Sequence, residues 1–449
     1  MFKFGAPRGA DVLMLYLWLA GYDAYIVGGC VRDSLLGKIP HDWDICTNAT
    51  PEEICEVMHK YNLKTIDTGL KHGTVTVVRN DQSFEVTTFR IEGEYSDNRR
   101  PDSVEFVGDV IEDLSRRDFT INAMAYNEVD GLIDPWHGQD DLKLGIIRCV
   151  RNPDDRFRED ALRIMRALRF ASTYGFKIEE KTAAAIHRNK DLLVNISAER
   201  IQSELCKLLC GEGVLDILLE YSDVMAVIIP ELGPCIGFEQ NNPYHCYTVY
   251  DHIAHAVANF KGTNISVKMA LLLHDIGKPE CYSEDEKGGH FYGHSVPSAM
   301  IAKDVVQRLR FDNKTACEIV DLVLYHDSEI YPGVRSVKRW LNRLGEDMLN
   351  KLMYVRMADI YAHSEKNRNE CRDECLGVRL IAKKIVDEQQ CFTIKDLAIN
   401  GNDILKLGVE TGPIVGKVLK HLLDKVLDGE ARNEYVVLID EAREFLKGE

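Results

Sequence analysis

Asp42 and Asp44 stand two residues apart in the stretch His41-Asp-Trp-Asp-Ile45, which reads as the start of a strand, and along a strand residues i and i+2 share a face. Two carboxylates on one face repel each other. Holding both ionised calls for a divalent cation, and oxygen ligands combined with substrate phosphates are the preference of Mg²⁺, so the pair suits phosphoryl or nucleotidyl transfer. Upstream, Gly28-Gly29 ends an apolar run and opens the helical stretch Val31 to Leu36, where bare backbone amides at a helix start could receive a triphosphate. Further on, eight of the 14 histidines fall between His245 and His363, a density that points to a use for imidazole.

These groups need elements to hold them. Ala24–Val27, Asp42–Cys46, Gly73–Arg79, Ser83–Phe89 and Val104–Phe106 are short, mostly apolar or β-branched runs that predict strands separated by helical stretches. From about Asp154 the periodicity is helical to the C-terminus. Val12–Ala20 is too short to span a bilayer, and with the strand and glycine turn that follow it predicts a buried first helix, not a cleaved leader. Turn-rich boundaries fall at Asp134–Asn152, at Gly233–Asn242 and after Gln390.

With 449 residues, 45% hydrophobic and 28% charged, the chain is long enough for several domains with ample core. A net charge of −17 disfavours indiscriminate affinity for nucleic acid or membrane, so a polyanion must meet a local basic patch. The 13 scattered cysteines suggest neither a disulfide framework nor a zinc knuckle and read as reduced, cytoplasmic thiols.

The series Gly28-Gly-Cys-Val-Arg32-Asp, Asp42-Trp-Asp44, Arg116-Arg117-Asp118-Phe-Thr-Ile-Asn122 and Glu159-Asp160-Ala-Leu-Arg163 resembles the nucleotidyltransferase superfamily, in the class of bacterial and eukaryotic CCA-adding enzymes and bacterial poly(A) polymerases. The resemblance implies that Glu85 is a third metal-site carboxylate, and that Arg117, Asp118 and Asn122 contact the ribose and phosphates of the incoming nucleotide. It makes Asp160 and Arg163, at i and i+3 and hence on one helix face, the base-selecting pair. The chemistry is apt: cytosine and adenine both show an amino donor beside a ring-nitrogen acceptor, which a carboxylate and a guanidinium complement, whereas guanine and uracil would meet that pair donor to donor. Arg156, Arg158, Arg166 and Arg169 make a basic island there that meets phosphates or forms solvated helix faces. Arg90–Pro101 resembles the loop of enzymes that complete CCA, and Thr68–Thr74 resembles the CCA-type sequence after the first motif. Ser197–Ile201 looks like the last core motif.

His252, His274-Asp275 and Asp359 follow the order of the HD phosphohydrolases, with His294 and His326 where some members complete a second metal site. His245, His255, His290 and His363 fall outside that pattern and read as non-ligands. The resemblance thus implies an α+β fold: an N-terminal nucleotidyltransferase head with a small mixed sheet (1–150), then an elongated all-α region comprising a nucleotide-base and RNA-binding neck (151–240), an HD domain (241–390) and a tRNA-binding tail (391–449). It implies Mg²⁺ at the head and Mg²⁺, Mn²⁺ or a transition metal at the HD site, with tRNA, CTP and ATP as partners and neither membrane nor DNA. The expected activity is addition of the tRNA 3′ CCA, with an additional HD phosphohydrolase activity. A poly(A) polymerase, a CC- or A-adding enzyme, and a principal phosphohydrolase acting on RNA ends are the alternatives.

Overall fold

A computed structural model describes residues 5–69, 73–93, 103–242, 246–286, 288–365 and 368–448. The loop singled out at Arg90–Pro101 lies outside the described residues from position 94, as do positions 70–72 of the Thr68–Thr74 stretch and His245. The chain forms two compact units, Met1–Gly233 and Pro234–Glu449, dividing at the start of the second turn-rich segment.

In the first unit, β1 (Ala24–Val27), β2 (Asp44–Thr47), β3 (Lys64–Gly69), β4 (Thr74–Arg79) and β5 (Gln82–Thr88) are followed by β6 (Arg90–Glu92), β7 (Val104–Phe106), β8 (Ala125–Asn127) and β9 (Gly131–Ile133). Seven of them make one sheet in the order β3-β4-β5-β2-β1-β8-β9, while β6 and β7 pair separately. The sheet is mixed, because β2 and β5 run parallel and the other pairs antiparallel. Alternation assigns the faces. Ala24 and Ile45 join Leu13, Leu17, Met58 and Val75 in a core under the helices Arg8–Leu19 and Pro51–Lys60. Tyr25 and Cys46, one residue on, join Phe89 and Leu114 on the opposite face. The first helix is less buried than its apolar composition predicts. Its Gly9, Ala10, Leu13 and Leu17 edge is fully covered and Met14 and Tyr16 are partly so, while Trp18 and Leu19 are each 58% exposed.

After the short parallel pair β10 (Ile146–Ile147) and β11 (Lys177–Ile178), this unit is helical. The helix Leu162–Tyr174 packs on Ala198–Leu209 through residues such as Met165, Leu168, Leu205 and Leu208, all fully buried.

The second unit is almost all helix. Ile265–Leu273 is buried on every side, its two polar side chains satisfied by Glu318 (Ser266) and the Val257 carbonyl (Lys268), and packs against Val249–Asn259, Asn313–Tyr325 and the helical stretch Val334–Ala362, which is interrupted at Gly345 with φ +76°. A hairpin of β12 (Ser283–Asp285) and β13 (Gly288–His290), which the helical periodicity did not predict, projects between them in sequence. The last helices, Pro413–Asp428 and Tyr435–Gly448, enclose their own core around Leu422 and Leu438. Among the described residues all 13 cysteines are free, and no helix is long and apolar enough to cross a membrane.

Candidate functional site

Strand β2 begins at Asp44, not at His41. Its neighbours set that limit: β1 pairs no further back than Ile26 with Ile45, and β5 pairs Glu85 with Asp44. Asp42 therefore precedes the strand and is exposed, so the strand alternation expected to align it with Asp44 does not operate. Asp44 and Glu85 are instead the directly facing residues of a parallel strand pair. Asp44 is half-buried. Burial pushes its carboxyl pKa up, Arg117 opposes that, and the negative charges of Glu85 and Asp42 push it further up. A divalent cation would relieve both repulsion and desolvation, although the carboxylate oxygens of Asp42, Asp44 and Glu85 do not all lie within 4.8 Å of one another, as the ligand atoms gathered in the second unit do.

Gly28, at φ +79° and ψ −124°, starts the helix Gly29–Leu35, and a Cβ there would stand 2.8 Å from Arg117 Nη1. Only glycine adopts that backbone without strain and lets the guanidinium so close. Arg117 in turn lies 3.3 Å from Asp113 Oδ2, which shares a buried carboxylate with Arg116.

Four residues singled out from three separate stretches form one chain of hydrogen bonds. Arg32 Nη1 donates to Asn122 Oδ1 (2.6 Å), Asn122 Nδ2 donates to Asp118 Oδ1 (3.0 Å), and Arg166 donates through Nε (2.8 Å) and Nη2 (2.6 Å) to Asp118 Oδ2. Burial alone would raise the pKa of Asp118. Arg166 and Asn122 outweigh it and hold the carboxylate well below its ordinary range. Arg32 also lies over the rings of Phe170 and Tyr174, at 5.0 and 5.2 Å.

The remaining neck residues are placed differently from their spacing. Asp160 is not on the helix of Arg163: it ends the helix Pro153–Glu159 in an extended conformation, and Leu162–Tyr174 begins after it. Its Oδ1 accepts the Leu162 amide (3.0 Å), which stabilises the break, and Oδ2 accepts from Arg200 (3.0 Å). Arg163 turns elsewhere, donating to Glu159 Oε2 (2.5 Å) and to the Arg116 carbonyl (3.0 Å). The shared helix face is thus replaced by a junction at which the Arg163 amide donates to the Asp160 carbonyl at 3.0 Å. Arg169 faces Glu204 at 2.5 Å and lies 3.8 Å over Phe170.

The second unit gathers the other group. Among the described residues, the clusters of three or more metal-ligand side chains are His252/His274/Asp275, His252/Asp359/His363 and Asp275/His294/His326, each with its ligand atoms within 4.8 Å. Every ring but that of His363 is oriented alike. His274, His294 and His326 donate Nδ1–H to the carbonyl three residues back (2.8, 2.9 and 2.7 Å), and His252 Nδ1 faces the Ala362 carbonyl at 3.3 Å. This fixes the tautomer and leaves each Nε2 lone pair for a ligand. Those lone pairs converge: His252 and His274 Nε2 are 3.3 Å apart, and His294 and His326 Nε2 are 3.1 Å apart. Lone pairs that close repel unless a cation lies between them. Asp275 bridges the halves, with Oδ2 3.3 Å from His252 and Oδ1 3.1 Å from His294, while Asp359 Oδ1 is 2.8 Å from His252. Burial depresses the His252 pKa to about 4, and the imidazoles and Lys278 hold Asp275 well below the usual carboxylate range against its burial. The donor set fits a divalent metal. His363, read from sequence as a non-ligand, belongs to the cluster, 3.8 Å from Asp359. Its i+4 spacing from Asp359 on one helix was the available signal.

A Poly A polymerase head domain matches residues 24–148, a "Probable RNA and SrmB- binding site of polymerase A" matches 175–235, and a tRNA nucleotidyltransferase domain 2 matches 300–442. Fold and matches together define a tRNA nucleotidyltransferase-like protein. The chain is 35% identical over 431 residues to a CCA-adding enzyme of Limosilactobacillus fermentum, covering 95% of this chain and 94% of the relative. It is 34% identical over 440 residues to that of Ligilactobacillus salivarius, with 95% and 94% covered. A solved CCA-adding enzyme of Bacillus stearothermophilus in complex with CTP superposes with a TM-score of 0.73 at 29% identity, covering 99% and 98% of the two chains. The chain belongs to the CCA-adding enzyme family.

Proposed function

We propose that this chain adds or repairs the 3′-terminal CCA of tRNA from CTP and ATP, without a template, in a Mg²⁺-dependent nucleotidyl transfer at the head. The observation that carries the reading is Asp44, facing Glu85 across parallel strands, under the charge of Asp42 and beside Arg117 and the glycine turn. Asp42 and Asp44, with Glu85, would hold the metal. A bound divalent ion supplies acidification of the tRNA 3′ hydroxyl and neutralisation of charge on the α-phosphate and departing pyrophosphate. The chain's own residues position. Gly28 and Gly29 let the triphosphate approach the backbone, Arg117 meets its charge, and the Arg32–Asn122–Asp118–Arg166 chain sets the nucleotide's sugar and phosphates. Asp160 and Arg163 read the base edge by exchanging their partners Arg200 and Glu159 for it, and Arg166 and Arg169, paired with Asp118 and Glu204, brace the neck beside the nucleotide. The CTP complex of the Bacillus stearothermophilus relative supports the nucleotide assignment.

The loop motif Arg90–Pro101 favours complete CCA over CC addition. The proposed division is a head over 1–150, a neck over 151–240, an HD domain over 241–390 and a tRNA-binding tail over 391–449, in a cytoplasmic enzyme. Arg163→Ala should relax base choice, raising GTP or UTP misincorporation relative to CTP and ATP by tenfold or more; unchanged selection would remove the base-reading role.

The imidazole cluster favours a second activity. His252, His274, Asp275 and Asp359, with His294 and His326, would hold Mg²⁺, Mn²⁺ or a transition metal and hydrolyse phosphate esters such as phosphorylated or 2′,3′-cyclic RNA ends. His274→Ala should lose bound metal, measured by elemental analysis, and phosphatase activity together while CCA addition persists. Metal content equal to the parent's would contradict the site.

A further inference from the structure

The hydrolytic cavity carries an aromatic surface that metal binding does not use. A cavity of about 510 Å³ opens over the imidazole cluster, within the range that small-molecule sites occupy, and its wall includes Asp275, His294, His326, His290 and Tyr292. His290 and Tyr292 stack on each other with ring centroids 5.0 Å apart and planes 12° off parallel. Tyr292 is nevertheless 78% exposed, so its outer ring face is open to a ligand.

The pair is held in place from several directions. Asp285 Oδ1, on the facing strand of the hairpin, lies 2.9 Å from His290 Nε2. The hairpin is drawn tightly onto the preceding segment, since the Gly289 amide donates to the Asn241 carbonyl at 2.9 Å and a Cβ on Gly289 would stand 2.4 Å from the Gln240 carbonyl oxygen. On the other side, the Phe291 carbonyl accepts from Nδ1 of the ligand His294 at 2.9 Å. One short segment therefore orients a metal-binding imidazole and presents an exposed phenol ring to the same cavity.

We propose that Tyr292, backed by His290, is the platform on which a nucleobase stacks, so that this site selects phosphate esters that carry a base over those that do not. The proposal rests on the metal-site reading above. The shared ligand chemistry is a base with a phosphate two or three bonds from its ribose ring; a free nucleotide and an RNA 3′ end are its two sources. Tyr292 acts as a positioning and specificity residue, touching the base while the cluster meets the phosphate.

The test uses the full chain loaded with cobalt(II), whose absorption reports histidine coordination, titrated with AMP and with glycerol 2-phosphate as the base-free ester. Stacking on one aromatic ring typically amounts to about 1–3 kcal/mol per base by alanine substitution, so Tyr292→Ala should weaken AMP binding by roughly five- to 150-fold. Glycerol 2-phosphate should bind the variant within about twofold of the parent, and Tyr292→Phe should bind AMP like the parent. Equal loss for both esters, or no loss for AMP, would overturn the platform. A parallel titration with a short RNA ending in a 3′ phosphate separates the sources: tighter binding than AMP assigns the RNA end, and weaker binding assigns the free nucleotide. Failure of the metal reading is distinguishable, because it would appear as a cobalt spectrum unchanged in His274→Ala, whatever Tyr292→Ala does.

Discussion

A Cβ on Gly28 would stand 2.8 Å from Arg117 Nη1 on a backbone with φ +79° and ψ −124°, so alanine there is opposed twice, by its own conformation and by the guanidinium. Gly28→Ala should lower stability by about 1–3 kcal/mol and, by displacing Arg117 from Asp44, cut nucleotide incorporation more than tenfold; single-turnover extension alongside urea unfolding checks both. Asp118 gives a prediction with a sign. Its folded pKa is depressed, so its contribution to stability is complete above the unfolded carboxylate pKa and is lost as pH falls through the depressed folded value. Asp118→Asn leaves Arg166 without its bidentate partner and should cost about 2 kcal/mol at neutral pH. The gap between parent and variant should narrow below about pH 4, the ordinary range of an aspartate. A gap that stays constant from pH 7 to pH 3 would show that the ion pair is not its source. At this scale the sequence was legible where chemistry is carried by consecutive residues: Arg117, Asp118 and Asn122 lie in one short run. It was less legible for His363, whose partner Asp359 lies one helical turn away and whose meaning depends on His252, more than a hundred positions earlier.

Elements decide what spacing alone cannot. Asp42 and Asp44 are two apart, but β2 is a strand only where β1 and β5 offer hydrogen bonds, and that offer ends at Asp44. Likewise the i, i+3 spacing of Asp160 and Arg163 predicts a shared helix face, yet the Asp160 carboxylate accepts the Leu162 amide and so favours a break over a continued helix. Local side-chain hydrogen bonding outcompeted the periodic pattern at that junction. The basic island resolves in the same way, into partnered guanidiniums and not a uniform phosphate-binding face. Arg169 and Glu204 are both largely buried and 2.5 Å apart. Removing the arginine would leave a buried carboxylate unpaired, so Arg169→Ala should destabilise the first unit by about 3 kcal/mol in denaturant titration. A loss below about 0.5 kcal/mol would show that Glu204 is solvated. The strands with strong β-branched content, β1, β4 and β5, were legible within a residue or two of their ends. The hairpin β12–β13 was not, because its Ser-Glu-Asp and Gly-Gly-His composition has no strand periodicity and its position is set by contacts with Gln240 and Asn241.

Across the whole molecule, two compact units each hold one candidate site: facing carboxylates at the start of β2 in the first, gathered imidazoles and carboxylates in the second. The division between a sheet-bearing head and a helical remainder was visible in the change of hydrophobic period near Asp154, since the period of burial is what distinguishes a strand from a helix. The membership of each site was visible only in part, because convergence of residues from distant helices is a property of packing. The central claim is nucleotide transfer at Asp44. Its most direct test is to incubate the purified protein with Mg²⁺, CTP and ATP and a tRNA transcript that ends before CCA, beside Asp44→Asn, and to sequence the 3′ ends. The account predicts ends reading CCA for the parent and unextended ends for Asp44→Asn. Tails of A alone, unextended tRNA from the parent, or CCA ends from Asp44→Asn would contradict it.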